Sequence, residues 1–229
     1  TLLPLIGDDV LPEHPLTAVS NGASAHIPLM LGTTMDEWTL FYLSPQSMGQ
    51  SRPREEPDDE RLTHEFERTL PGRGAMMMSR YREAMPEVSS SELFCAYETD
   101  RMFRMPTIRL AEARFSHIAP TWQYLFDWPC AFNRRLKSCH VMEVPFVFGV
   151  TDKPAGQFFT GGGEEAVQLS RQVRQAWSSF ANGKAPMAEG WPEWPVYKPN
   201  HRAVLHMAAA SNVQIDPQSE RRLLWDEVL

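Results

Sequence analysis

Cysteine is scarce in this chain. Its 229 residues hold three, Cys95, Cys130 and Cys139, an odd number without Cys-x-x-Cys spacing. That argues against a disulfide framework and a structural zinc site, and it fits a reducing compartment such as a bacterial cytoplasm. Long apolar runs are also missing: stretches such as 26–31 and 144–150 fall far short of the roughly 18 residues that cross a bilayer, so no membrane partner is expected. Excess positive charge is absent, with 22 Lys+Arg against 29 Asp+Glu and a formal net charge of −7, which disfavours a nucleic-acid partner held by phosphate neutralisation. No period of 20 to 50 residues recurs, so a repeat array is not expected. The seven histidines show neither His-x-His nor His-Glu-x-x-His spacing, which sets aside a metal hydrolase; no metal or organic cofactor is called for.

What remains is a globular composition, 42% hydrophobic, 22% charged and 10% aromatic, enough for a sizeable core. Residues 27–33, IPLMLGT, form a short apolar run ending in Gly-Thr, the pattern of a strand buried on both faces. A helix is predicted from Asp36, with Thr33 or Thr34 as its cap. The Pro-punctuated start of the chain reads as extended, and 44–60 as an exposed polar loop. Helices are expected at about 59–70, 74–84 and 91–103. Pro106 opens another that sets Ile108, Ala111 and Phe115 on one face. The aromatic run 121–128 reads as a second strand, and 164–182 as the clearest helix, with Leu169, Val173, Trp177 and Phe180 facing a core. Residues 203–207 and 212–216 suggest a closing hairpin before a terminal amphipathic helix. This order predicts an α/β fold with a mixed, mostly parallel sheet flanked by helices.

Two segments place acids or a histidine just past the ends of predicted buried strands, where open α/β sheets build their sites. GTTMDEWTLF at 32–41 carries Asp36 and Glu37; taken alone, this pair only stabilises the positive end of a helix. RRLKSCHVMEVPFVFG at 134–149 carries His140 on a loop, with Glu143 three residues on. Cys139 beside it is discounted as a nucleophile, because neighbouring side chains diverge.

GTTMDEWTLF resembles the acid motif of the type B carboxylesterases, the α/β-hydrolase family that includes the bacterial p-nitrobenzyl esterases and the cholinesterases. CHVMEVPFVFG resembles their histidine motif. DDVLPEHPL, YLFDWP, FANGKAP and WPVYKP agree in order, so the resemblance covers nearly the whole chain. It implies that residues 1–229 are the C-terminal half of a carboxylesterase-type α/β-hydrolase domain, with 44–105 as a variable loop and helical covering region. It further implies a serine esterase for small, fairly apolar esters, in which Glu37 is the acid and His140 the base of a Ser-Glu-His triad. Glu143 would anchor the histidine loop or cap the segment that follows, and Asp36 would bond backbone. The chain departs from the family at Trp38 and Val141, where small residues are usual, which bears on pocket shape.

The Gly-x-Ser-x-Gly elbow that holds such a nucleophile does not occur in the sequence, and the Gly161–Gly163 run lies too late to serve as an oxyanion hole. The expectation is therefore a fragment or one chain of a nicked enzyme, inactive alone. Its partner would be an N-terminal half of the same enzyme that carries the serine, the oxyanion hole and the first strands. Such a partner would also pair the strand at 27–33, which otherwise presents an apolar edge to water. The competing reading is a non-catalytic, cholinesterase-like binding or scaffold protein.

Overall fold

The computed structural model describes residues 6–44 and 56–228. Most of the 44–60 loop expected from the sequence lies outside the described residues. Four strands form one sheet in the order β1-β2-β3-β4: β1 (Leu29–Thr34), β2 (Thr121–Phe126), β3 (Ala203–Met207) and β4 (Asn212–Ile215). β1 pairs with β2, and β2 with β3, in parallel, while β3 and β4 form the antiparallel hairpin. Parallel neighbours need long crossovers, and here the crossovers are helical.

The first crossover runs through α2 (Trp38–Leu43), α3 (Asp59–Thr69), α4 (Gly74–Ala84), α5 (Ser90–Thr99), a π-helical turn (Asp100–Arg104) and α6 (Met105–Ala113). The second holds α7 (Val144–Val147), α8 (Pro154–Thr160) and α9 (Gly163–Ala181). A short α1 (Pro15–Ser20) precedes β1, and α10 (Ser219–Asp226) closes the fold. Helix starts follow their local chemistry. Asp58 accepts from the Arg61 amide at the start of α3, and Ser89 and Glu92 form a reciprocal capping box at the start of α5, devices worth about 1 kcal/mol each.

Side chains alternate across the sheet. Trp122, Phe126, Leu205 and Met207 join Phe146 of α7 and Leu169 and Val173 of α9 in one buried cluster, with Trp177 and Phe180 packed at its margin. A second cluster joins Leu62 and Phe66 of α3, Met77 and Tyr81 of α4, Leu93, Phe94 and Tyr97 of α5, and Trp225 of α10.

Three local expectations are corrected. β1 is only half-buried over most of its length, because it is the outer strand and its far edge pairs with no strand among the described residues. Thr33 and Thr34 belong to that strand, so neither caps α2; Glu37 occupies the cap position without a capping bond. Phe115 is 54% exposed, because α6 ends at Ala113 and the turn that follows rotates it off the apolar face.

Candidate active site

β1 and β2 run side by side and end together, so the loops leaving them meet. Gly32 makes that approach possible: a Cβ there would collide with the ring and carbonyl oxygen of Tyr124 across the strand pair. Past β1, the Met35 amide bonds to the Phe126 carbonyl at 2.9 Å, and the chain turns into α2 with Glu37 at its start. Past β2, Cys130 and Lys137 close a loop through a 2.8 Å backbone bond, and His140 follows in a turn ahead of α7.

Here Glu37 and His140, 103 positions apart, come together. Nδ1 of His140 lies 2.6 Å from Oε2 of Glu37, and the other carboxylate oxygen accepts the Thr34 amide at 2.7 Å. Glu37 is 5% exposed, so both its oxygens are held away from water. A carboxylate only accepts, so Nδ1 donates and the lone pair is left on Nε2, the tautomer a general base requires. The imidazole side chain stays 36% exposed.

Rings flank the imidazole. Phe41 and Phe103 stand 5.1 and 5.3 Å from the imidazole by ring centre, and Trp38 packs on both at 5.1 and 6.5 Å. Phe103 reaches this place through the π turn, in which the Met105 amide bonds back to the Asp100 carbonyl; such turns recur at functional sites. That turn is pinned by a buried ion group, in which Asp100 accepts from the Tyr81 hydroxyl at 2.6 Å and pairs with Arg221 at 2.9 Å and Arg104 at 3.6 Å. Sequence reading placed Phe103 on an ordinary helix and missed this role, because nothing local marks the extra residue in the turn.

Glu143 sits at the start of α7. Burial pushes its carboxyl above the ordinary range, the charge on Glu37 pushes further and His140 opposes, so it belongs to the same electrostatic neighbourhood. Its Oε2 is buried with no hydrogen-bond partner, so that oxygen neither caps α7 nor ties down the histidine loop. Asp36 bonds backbone as expected, but that of the histidine loop, accepting from the Ser138 amide at 3.3 Å. Burial, then the neighbouring Cys130, push the Cys139 thiol up to about 12, leaving almost no thiolate near neutral pH. A cavity of about 430 Å³ lies between α2, α5 and α10; Asp36, Tyr42, Cys95, Lys137 and Arg221 line it, and neither Glu37 nor His140 does. Among the described residues no cluster of three His, Cys, Asp or Glu could hold a metal, and no helix is long and apolar enough to cross a membrane.

A mixed, mostly parallel sheet between helices, with an acid and a histidine meeting beyond its strand ends, is part of an α/β-hydrolase fold. The sequence comparisons narrow the class. The model of the carboxylesterase family matches residues 1–225, and the chain belongs to that family. It is 33% identical over 219 residues to the para-nitrobenzyl esterase of Bacillus subtilis, covering 96% of this chain and 42% of that protein. It is 29% identical to a cocaine esterase of Oryctolagus cuniculus, covering 100% of this chain and 44% of that one. Among solved structures, a Geobacillus stearothermophilus carboxylesterase superposes with a TM-score of 0.79 at 30% identity, over 95% of this chain and 44% of that one. The chain thus spans less than half the length of these relatives.

Proposed function

We propose that this chain supplies the acid and base of a serine carboxylesterase. Glu37 holds the tautomer of His140 and stabilises the imidazolium. His140 takes the proton from a serine hydroxyl as it attacks an ester carbonyl, then delivers it to the departing alcohol. No metal or cofactor enters these steps. The single observation that carries the reading is the 2.6 Å contact between Nδ1 and Oε2, made by two loops that have no other reason to present a buried carboxylate to a half-exposed imidazole.

The serine and the oxyanion donors come, in this reading, from the part of the family's length that the chain does not span. Three features favour such a partner surface. The outer edge of β1 is unpaired among the described residues, Glu143 Oε2 is buried without a donor, and Val141, Val144 and Phe148, on the segment that follows the histidine, are 45%, 39% and 73% exposed. The ring wall of Trp38, Phe41 and Phe103 favours small esters with an apolar portion, because it offers apolar surface beside the base.

The test is hydrolysis of a p-nitrophenyl ester by the complete protein and its His140→Ala variant. The expected loss in kcat is at least about 10³-fold; near wild-type hydrolysis by the variant removes the assignment.

A further inference from the structure

Glu37 and His140 are held on different loops, so their contact survives only if the loops are fixed to each other by something besides the contact itself. The structure supplies such a fixture one residue before the acid and two before the base. The Asp36 amide donates to the Ser138 carbonyl at 2.9 Å, and the Ser138 amide donates back to Asp36 Oδ2 at 3.3 Å. Ser138 is in turn fastened to the sheet: its hydroxyl donates to the Phe126 carbonyl at 2.9 Å and accepts from the Trp128 amide at 3.2 Å. The same Phe126 carbonyl receives the Met35 amide. Acid loop, histidine loop and strand end therefore converge on one knot, and within it the Asp36 carboxylate crosses directly from one loop to the backbone of the other. Thr39 adds a strut, its hydroxyl lying 2.7 Å from the Asp36 carbonyl and 2.5 Å from the Leu136 carbonyl.

We propose that Asp36 is a positioning residue of the acid–base pair: its carboxylate clips the Ser138 amide and so sets the distance between Glu37 and His140 without touching either substrate or imidazole. The inference rests on the esterase reading for its kinetic consequence, but the clip itself can be followed without turnover. A base displaced by about 1 Å loses up to about 100-fold in rate while substrate binding is little changed. Removing groups that orient a functional side chain from behind costs about 10- to 100-fold in other systems.

The experiment uses the complete protein with Asp36→Ala, which removes the acceptor, and Asp36→Asn, which keeps an oxygen for the Ser138 amide. Two quantities are read: kcat and KM for a p-nitrophenyl ester, and the far-downfield proton resonance of the imidazole Nδ1–H bonded to Glu37. Asp36→Ala is expected to lower kcat about 10- to 100-fold with KM within about twofold, and to broaden or shift the resonance. Asp36→Asn is expected to restore kcat to within about threefold and to retain the resonance. Should Asp36→Ala fail to fold, Asp36→Ser, too short to reach the amide, carries the same expectation. Unchanged kcat and resonance in the folded Ala or Ser variant overturn the proposal, as does an Asn variant as damaged as Ala. Wild-type protein that hydrolyses no ester overturns the esterase reading instead, and the resonance then decides the clip alone.

Discussion

The cluster between the sheet and α9 is apolar and holds no ion, and three of its neighbouring polar groups are tied to backbone: Ser170 Oγ to the Phe146 carbonyl, and the Trp128 and Trp194 indoles to the Thr160 and Gln123 carbonyls. The cluster among α3, α4, α5 and α10 is as aromatic, with Phe66 stacked on Tyr97 and Tyr97 on Trp225, but it closes around ions. Asp100 is fully buried between Arg221 and Arg104. The histidine loop belongs to the first cluster through Cys139, Met142 and Phe146, whereas α2, which starts just after Glu37, touches the first through Leu40 and the second through Trp38 and Tyr42. The candidate site is therefore a seam between two cores. Its geometry depends on how they dock, so damage to either side is felt there.

The two cores should respond differently to truncation. Asp100→Ala leaves two buried guanidinium groups without the carboxylate between them and should cost about 3–5 kcal/mol. Leu169→Ala in the carbon cluster should cost about 3 kcal/mol, the lost transfer energy plus a cavity. Urea denaturation of both variants reads this order; a Leu169→Ala loss exceeding that of Asp100→Ala would mean that the ions add little to the second core.

A pH effect sharpens the comparison at the seam. Burial, with some help from the charge on Asp127, pushes the Asp36 carboxyl up to about 6, against the pull of Lys137, the Ser138 amide and Arg221. An unfolded Asp titrates near 3.9. Between those values the folded protein keeps a proton that the unfolded chain gives up. Stability from this group is therefore whole below about 4, falls as pH rises through about 6, and stays lost above it, a swing of order 3 kcal/mol. Asp36→Asn should accordingly raise the melting midpoint at about pH 7.5 and leave it nearly unchanged at about pH 4. An equal gain at both would place the raised titration elsewhere.

The smallest effect is expected at Val141, a β-branched residue held at φ 64° beside His140. Left-handed backbone costs a non-glycine residue about 1–2 kcal/mol, and glycine brings about 0.5–1 kcal/mol of extra chain entropy to be lost. Val141→Gly should thus stabilise by less than about 1 kcal/mol, read as a small rise in the urea midpoint. A loss of stability would mean that the half-exposed valine packs against something that glycine cannot replace.

Elements with strong periodicity were legible. α3, α4 and α9 fall within about a residue of their expected bounds, β2 begins at Thr121, and the closing hairpin is where alternating residues and a polar turn put it. The site was legible only as two motifs: their resemblance to one family named Glu37 and His140, and no local pattern joined them. Misreadings came where neighbours overrode local preference. Thr33 and Thr34 look like caps beside an acid pair, yet pairing with Leu125 and Phe126 draws them into β1. Phe115 continues an apolar spacing, yet α6 stops before it.

The sequence by itself determined where most helices and strands lie, because side-chain shape and apolar period act within a few residues, and its resemblance to one family singled out Glu37 and His140. Tertiary structure alone decided that Glu37 spends one oxygen on the Thr34 amide and the other on His140, that a π turn swings Phe103 against the imidazole, and that Asp36 bonds Ser138. Each of the last three links joins residues far apart in the chain, and only the packing of two cores around a shared strand end brings such groups within hydrogen-bonding or stacking reach.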